Sequence, residues 1–355
     1  MHLPLISSAT LEKSARDNVW ALTGLVLISA LLVTFVLWMN TGNNLSVERE
    51  ERFASQSEEI HGLIEARMAA YEQVLRGAQG LFAASANVSR EDFANYFKAL
   101  SVDQYYPGML GFGYSKLISA AELPAHVAAI RAEGFSEYDV RPAGQRNVYT
   151  SIVYIEPFGG VNLNAFGFDM YSEPVRRAAM DRAAASGVAA LSGKVTLVQD
   201  VERLGVAGVL LYLPVYSYGM VNDVVDGTLL GWVYAPFSMD ILMQGIRIDS
   251  LNDLELSIYD GHIMAAEGLL YSSADSDERA RRAAYESVEH LNIAGQPWTV
   301  RVRSTAAFEQ SNSSNTPTLV VVTGVVLSLL LTILVWSLVT SRERALAKAA
   351  QMTRE

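Results

Sequence analysis

Apolar residues are distributed along the chain in three ways. From Val19 to Met39 there are 21 residues without a charge, and from Thr318 to Thr340 another 23, rich in Leu, Val and Ile. Each stretch reaches the ~20 residues that cross ~30 Å of hydrocarbon at ~1.5 Å per residue. The pattern predicts transmembrane helices at 19–39 and 317–340, with Trp20, Trp38 and Trp336 near the headgroup levels where amphipathic rings settle. In the second regime apolar residues recur at Ile60, Ile64, Met68, Tyr71, Leu75, Ala78 and Phe82, in steps of three and four that hold one stripe along a helix. Glu58, Glu59, Glu65, Arg67, Glu72 and Arg76 fall between them as a solvated side. A stalk helix within 40–88 is predicted after a short polar break at Thr41 to Asn44. Its stripe faces its own domain, a second copy of the chain, or each over part of its length.

In the third regime, helical and alternating patterns interleave. Ser89-Arg90-Glu91-Asp92 has the form of a capping box and opens a helix that buries Phe93 and Phe97. Met109 to Ile118 reads as a strand, Ala120 to Glu133 as a helix ended by Gly134, and Val148 to Ile155 as a strand bounded by the turn Glu156 to Gly160. Ser172 to Gly187 has helix punctuation at both ends: Ser172 as N-cap, Pro174 in the first turn, Gly187 after the last. Strands are predicted at Val195 to Val198, Gly208 to Tyr216 and Thr228 to Tyr234, the last two joined by a loop with Asn222, Asp223, Asp226 and Gly227. A short helix at Ser238 to Gln244 leads to strands at Leu254 to Tyr259 and Trp298 to Val302. The fold class is α+β, with antiparallel sheets in two tandem subdomains at 89–237 and 238–316.

Composition agrees with a chain partly in lipid. It has 355 residues, 50% hydrophobic and only 18% charged, with no Cys, five His and a net charge of −11; mean hydropathy is +0.18. Thiol chemistry, disulfides and zinc ribbons are excluded, and the acidic balance argues against a nucleic-acid partner. Lys13 and Arg16 precede the first span, and Arg342, Arg344, Lys348 and Arg354 follow the second. Residues 40–316 hold 21 Lys and Arg against 34 Asp and Glu, a net of −13. Positive-inside logic places both termini (1–18 and 341–355) in the cytoplasm and the middle outside the cell membrane. A signal peptide is the alternative for the first span, but Asn40-Thr41-Gly42-Asn43 offers no small-x-small cleavage site. Residues 341–355 read as a helix continuing toward an output module that the chain does not contain.

The run from Gly167 to Gly187, then Leu191-Ser192-Gly193, Val195 to Gln199 and Val209 to Tyr216, resembles the core of a CHASE domain. That module is the extracytoplasmic sensor of bacterial receptors and plant cytokinin receptors. The resemblance covers about Phe82 to Phe237. It implies a long stalk helix, two PAS-like subdomains, a small-ligand pocket in the distal one and membrane helices at both ends. It further implies a homodimer whose signal passes to a histidine kinase or a diguanylate cyclase. In cytokinin receptors an Asp at the end of the strand resembling Tyr149 to Ile155 anchors the purine. Matching in order puts Pro157 there, which has no acceptor, and Glu156 reaches the place only by a one-residue shift, so cytokinin itself is not the expected ligand.

The candidate pocket residues are Tyr114, Tyr149, Ser151, Glu156, Phe166, Asp169, Ser192, Thr196, Leu211 and Leu213, an apolar set with a few polar groups. Tyr149, Phe166, Leu211 and Leu213 equally suit a buried sheet face, Asp169 could orient the turn before the Ser172 helix, and Glu156 could be a solvated turn residue. Arg176, Arg177 and Arg182 read as the solvated face of that helix, with contact to an acidic ligand as the alternative. No catalytic motif, cofactor fingerprint or metal-ligand spacing is present: His61, His126, His262 and His290 are scattered, and the acidic run Ser272 to Glu278 lacks the Gly and terminal Glu of a calcium loop. The expected function is a membrane receptor for a small molecule. A membrane-anchored enzyme and a dimeric structural protein are the alternatives from other classes.

Overall fold

The computed structural model describes residues 8–85, 87–198, 207–217, 220–221, 224–225, 227–246, 253–274, 281–311 and 315–352. The expected loop residues Asn222, Asp223 and Asp226, and Asp275 to Glu278 of the acidic run, lie outside them. Two compact units form, one from Met1–Phe53 with Glu309–Glu355, the other from Ala54–Phe308.

Among the described residues two helices are long and apolar enough to cross a membrane, and the first unit takes in the early part of one and the whole of the other. Helix α1 runs Ser8–Ala84, and the last helix, α8, runs Thr316–Met352. The expected break at Thr41 to Asn44 is absent: Thr41 Oγ1 donates to Leu37 O at 2.8 Å and Ser46 Oγ to Asn43 O at 2.8 Å. Back-bonding to the preceding turn occupies the hydroxyls, so a polar run need not end a helix. The two helices meet where small and hydroxyl residues allow close approach. A Cβ at Gly324 would collide with the Thr34 side chain, and Thr34 and Ser328 are buried.

The second unit lies along the later part of α1, whose predicted stripe is its buried face: Ile60, Ile64, Tyr71, Leu75 and Ala78 are all buried. Helix α2 (Arg90–Leu100) carries the expected capping box, with Asp92 N donating to Ser89 Oγ and Ser89 N to Asp92 Oδ2. A short helix α3 (Val102–Tyr105) leads into strand β1 (Phe112–Ser119), helix α4 (Leu123–Ala132) and strand β2 (Val148–Glu156). Helix α5 (Pro174–Ser186) is followed by β3 (Ala190–Leu191), β4 (Gly208–Tyr216), the small hairpin β5 (Met220–Val221) and β6 (Val224–Val225), and β7 (Leu229–Ser238). These strands form a five-stranded antiparallel sheet in the order β2-β1-β7-β4-β3, with β5-β6 apart. Helix α6 (Met239–Gly245) then leads to the second sheet, made of β8 (Leu254–Asp260), β9 (Leu269–Ser272), β10 (Glu286–Ile293) and β11 (Gln296–Ser304), in the order β10-β11-β8-β9. Helix α7 (Ala306–Ser311) closes the unit.

Two local expectations change. The cap of α5 is Glu173, whose carboxylate accepts from Val175 N and Arg176 N, while Ser172 ends a 3-10 turn. Pro174 holds the residue before it extended, which is the N-cap conformation, so the cap falls on Glu173. Val195 to Val198 is no strand: Val195 makes one isolated bridge to Gly208, and the edge strand is Ala190–Leu191.

Distal and proximal sheets are joined near one carboxylate. Asp260 accepts from Lys194 N on the distal side and from Gln296 Nε2 on the proximal side, both at 2.8 Å. Beside it Leu191 N donates to Ala294 O at 3.0 Å.

Candidate functional site

Strand alternation gives the distal sheet two faces. Register pairs Tyr114 with Val233, Leu213 with Val233 and Leu211 with Ala235. This face meets α1: Phe82 lies 4.4 Å from the Tyr114 ring, Tyr71 4.7 Å from Phe237, and Gln79 donates to Pro214 O. Tyr149 and Ser151 belong to the same face at the β1–β2 edge, where α4 covers it. The opposite face carries Ile152, Leu210, Tyr212, Trp232 and Tyr234, packed under α5 through Ala179, Met180 and Ala183.

Three of the expected site residues gather around Tyr138, and a fourth, Asp169, lies behind them. Its hydroxyl lies 2.7 Å from Ser151 Oγ and 2.9 Å from His126 Nε2. The Phe166 ring lies tilted against it with centres 4.9 Å apart, and Tyr149 packs in the same cluster. Behind them Asp169, fully buried, accepts at Oδ1 from Thr150 N (2.8 Å), Thr150 Oγ1 and Tyr171 N. Its Oδ2 pairs with Arg146 Nε at 2.8 Å, and the Arg146 guanidinium lies 4.9 Å from the Tyr149 ring centre. Asp169 therefore fastens the segment before α5 to β2. Burial is the main cause of both titration shifts here: His126 falls to about 4, so it is neutral near pH 7, and Tyr138 rises to about 12.

This network backs a groove of about 840 Å³ between α4, the end of α1 and strands β1 and β2. Tyr114, Phe82, Lys116, His126, Glu133 and Tyr154 help to line it. The Tyr114 hydroxyl donates to Leu230 O at 3.0 Å, and burial raises it. At the rim Arg90 bonds Val153 O and Glu133 while its guanidinium lies within 6 Å of the rings of Phe135, Tyr154, Phe158 and Phe166.

The remaining expected residues stand elsewhere. Glu156 is half-buried at the far end of β2, where desolvation raises its carboxyl and Phe158 N donates to it. Ser192 is buried and serves the backbone, accepting from Leu210 N and donating to Gly193 O. Thr196 is exposed, and its carbonyl accepts from Arg176. Leu211 and Leu213 lie under α1.

The clearest departure is Arg176. It is not a solvated helix residue but only 3% exposed, at the start of the stripe Arg176, Ala179, Met180, Ala183. That spacing was the signal, since a residue three or four before a buried pair shares its face. Arg177 and Arg182 are exposed as expected, and Arg182 also donates to Leu191 O and Gln296 Oε1. Tyr138, Tyr212 and Tyr234 were also not singled out. Among the described residues no three His, Asp or Glu side chains converge as metal ligands.

Two antiparallel sheets pack along the later part of α1, and among the described residues two helices are long and apolar enough to cross a membrane. The CHASE domain model matches residues 86–271. That is more than half of the chain, and the chain belongs to the CHASE domain family. Its fold is also similar to two solved structures. One is the periplasmic sensory domain of the Campylobacter jejuni chemoreceptor Tlp1, with 11% identity, TM-score 0.43, and coverage of 74% of this chain and 96% of that one. The other is the extracellular domain of vpHK1S-Z8, named as a histidine kinase, with 10% identity, TM-score 0.32, and coverage of 88% and 99%. No curated protein matches the chain significantly.

Proposed function

We propose that this protein is a two-pass membrane receptor whose distal sheet binds a small organic molecule and whose occupancy biases the two membrane helices. Residues 40–316 lie outside the inner membrane and both termini in the cytoplasm, the chain works as a homodimer, and a cytoplasmic module such as a histidine kinase or diguanylate cyclase reads its state. The observation that carries the ligand-binding part is the buried polar chemistry of the distal sheet. One face has a groove of about 840 Å³, and the opposite face, under α5, contains a buried guanidinium nitrogen and a buried phenol without hydrogen-bond partners, at Arg176 and Tyr234. Groups of this kind cost stability in a core that has only to fold. A ligand shifts the receptor only by its differential affinity for two arrangements of the outer unit.

The test is a thermal-shift screen of the full chain in lipid nanodiscs. A true ligand stabilises by RT ln(1 + [L]/Kd), about 2.7 kcal/mol at a hundredfold excess over Kd. The expected result is a saturable rise in Tm for a small class of related compounds. Compounds that are turned over without raising Tm would favour the anchored-enzyme alternative and end the receptor reading.

A further inference from the structure

Arg176 lies in the distal core with its hydrogen-bonding capacity only partly used. Its Nη2 donates to Thr196 O at 2.8 Å and its guanidinium lies 4.9 Å from the Phe168 ring centre, but Nε has no hydrogen-bond partner. The nearest carboxylate, Glu173, has Oε2 at 3.8 Å from Nε, too far for a hydrogen bond. Glu173 is committed elsewhere, accepting from Val175 N at 3.0 Å and Arg176 N at 2.9 Å as the cap of α5. Two phenols share this face of the sheet, with ring centres 6.1 Å apart. Both are fully buried. Tyr212 donates only to the Met170 thioether at 3.2 Å, a weak acceptor, and Tyr234 has no partner. Arg176 is near enough to both for its charge to oppose the upward shift that burial gives their hydroxyls.

The set is therefore three donors without a matching acceptor: a guanidinium edge and two hydroxyls. A planar carboxylate suits it, since Nε and Nη2 of a guanidinium offer a two-pronged edge to carboxylate oxygens. One cation balances one negative charge, which favours a carboxylate over a doubly charged phosphate. The group covering the phenols is Met170, an unbranched side chain that moves aside readily.

We propose that the molecule sensed by this receptor carries a carboxylate, held between the distal sheet and α5 by Arg176, Tyr212 and Tyr234 and not in the groove beside α4. This rests on the ligand-binding reading above and deepens it. Binding replaces the Met170 sulfur as acceptor for Tyr212 and gives Tyr234 and Arg176 Nε the partner they lack.

The test uses the full chain in nanodiscs with acetate, succinate and glutamate at millimolar concentration, against acetamide, succinamide and glutamine. At least one carboxylate is expected to raise Tm by several degrees while its amide does not. The effect should vanish in Arg176→Met and weaken about tenfold in apparent affinity in Tyr234→Phe, which removes only an unpaired hydroxyl and keeps the fold. It should persist in Ala129→Trp, which fills the groove. If Arg176→Met does not fold, Arg176→Lys replaces it and should lose at least tenfold. Carboxylate stabilisation that survives the Arg176 substitution, or is matched by the amides, overturns the assignment. Loss of any ligand's effect in Ala129→Trp but not in the Arg176 variant places the site in the groove: the receptor reading then stands and the carboxylate site falls. A neutral ligand with no carboxylate hit has the same meaning, whereas no stabilising compound of either charge counts against both.

Discussion

Strand by strand, the distal and proximal sheets are built alike. In each, the first strand lies between the second and the last, and the strand preceding the last in the sheet lies beyond it: β2-β1-β7-β4 in one, β9-β8-β11-β10 in the other. The distal sheet adds β3 at its edge and a helix, α5, over one face. Their buried charges are used differently. In the proximal sheet Arg303 and Glu255 are both 4% exposed and bond to each other. There Thr299 Oγ1 donates to Gly261 O at 2.7 Å and Ser257 lies 3.3 Å from Ser272 Oγ. In the distal sheet Asp169 is closed by Arg146 and Thr150, but Arg176 and Tyr234 keep free capacity. Trp298 Nε1 in the proximal sheet is also buried without a hydrogen-bond partner, so the difference lies in charge: the buried proximal guanidinium bonds a carboxylate, and the buried distal one, with Glu173 3.8 Å from its Nε, does not. The proximal sheet also touches the stalk through His61 Nδ1, 2.7 Å from Glu289.

That contrast can be broken most sharply at the proximal pair. Glu255→Gln leaves a buried guanidinium uncompensated, and removing one partner of such a pair costs about 3–5 kcal/mol. A large fall in the Tm of the full chain is expected, with no ligand involved. A loss under about 1 kcal/mol would mean that the proximal core does not depend on its ion pair and would erase the difference. Asp169→Asn is the distal counterpart. It keeps the shape but weakens hydrogen bonds to Thr150 and Tyr171 and the pairing with Arg146, for an expected loss of about 2–3 kcal/mol in denaturant titration.

A pH series sharpens the comparison further. His126 titrates near 4 in the fold against 6.5 when free, so the unfolded chain takes up its proton first. The contribution is fully present above pH 6.5 and is lost as pH falls toward 4. Replacing it by His126→Gln should flatten that part of the stability curve. Equal slopes in both proteins over pH 6.5–4 would show that the groove wall does not desolvate His126. The smallest effect is expected at the joint: Asp260→Ala removes one hydrogen bond between the sheets, from Lys194 N, and one within the proximal sheet, from Gln296 Nε2, for about 1 kcal/mol. It should reduce the transfer of ligand stabilisation from the distal to the proximal unit, read as two separated melting transitions where the parent shows one.

Much of this was legible in sequence wherever one local rule dominated. The stalk stripe, the Ser89 capping box and the α5 end at Gly187 each rest on contacts within a few residues, and each is present. The partners of a strand are not local, and there the reading thinned. β10 was missed because Glu286, Val288 and His290 point outward without a clear apolar alternation to mark them. Val195 to Val198 has strand composition but lacks a neighbour beyond Gly208. For the site, taking Leu211 and Leu213 selected the α1 face of β4, whereas Tyr212, one residue away, points under α5. Period-two alternation makes the choice of face a one-residue decision. Of the ten candidates, the fold brings Tyr149, Ser151 and Phe166 together around Tyr138, with Asp169 bonded to Thr150 of β2 behind them.

The joint near Asp260 has a kinetic reading as well. Leu191 N and Lys194 N are two backbone amides three residues apart, and both point out of the distal sheet to acceptors on the proximal one. While the joint is closed neither exchanges its proton with solvent, and any separation of the sheets releases both together. Their exchange rates should therefore rise and fall in step, as a matched pair of clocks, and the free energy they report is that of uncoupling the two sheets and not of unfolding either.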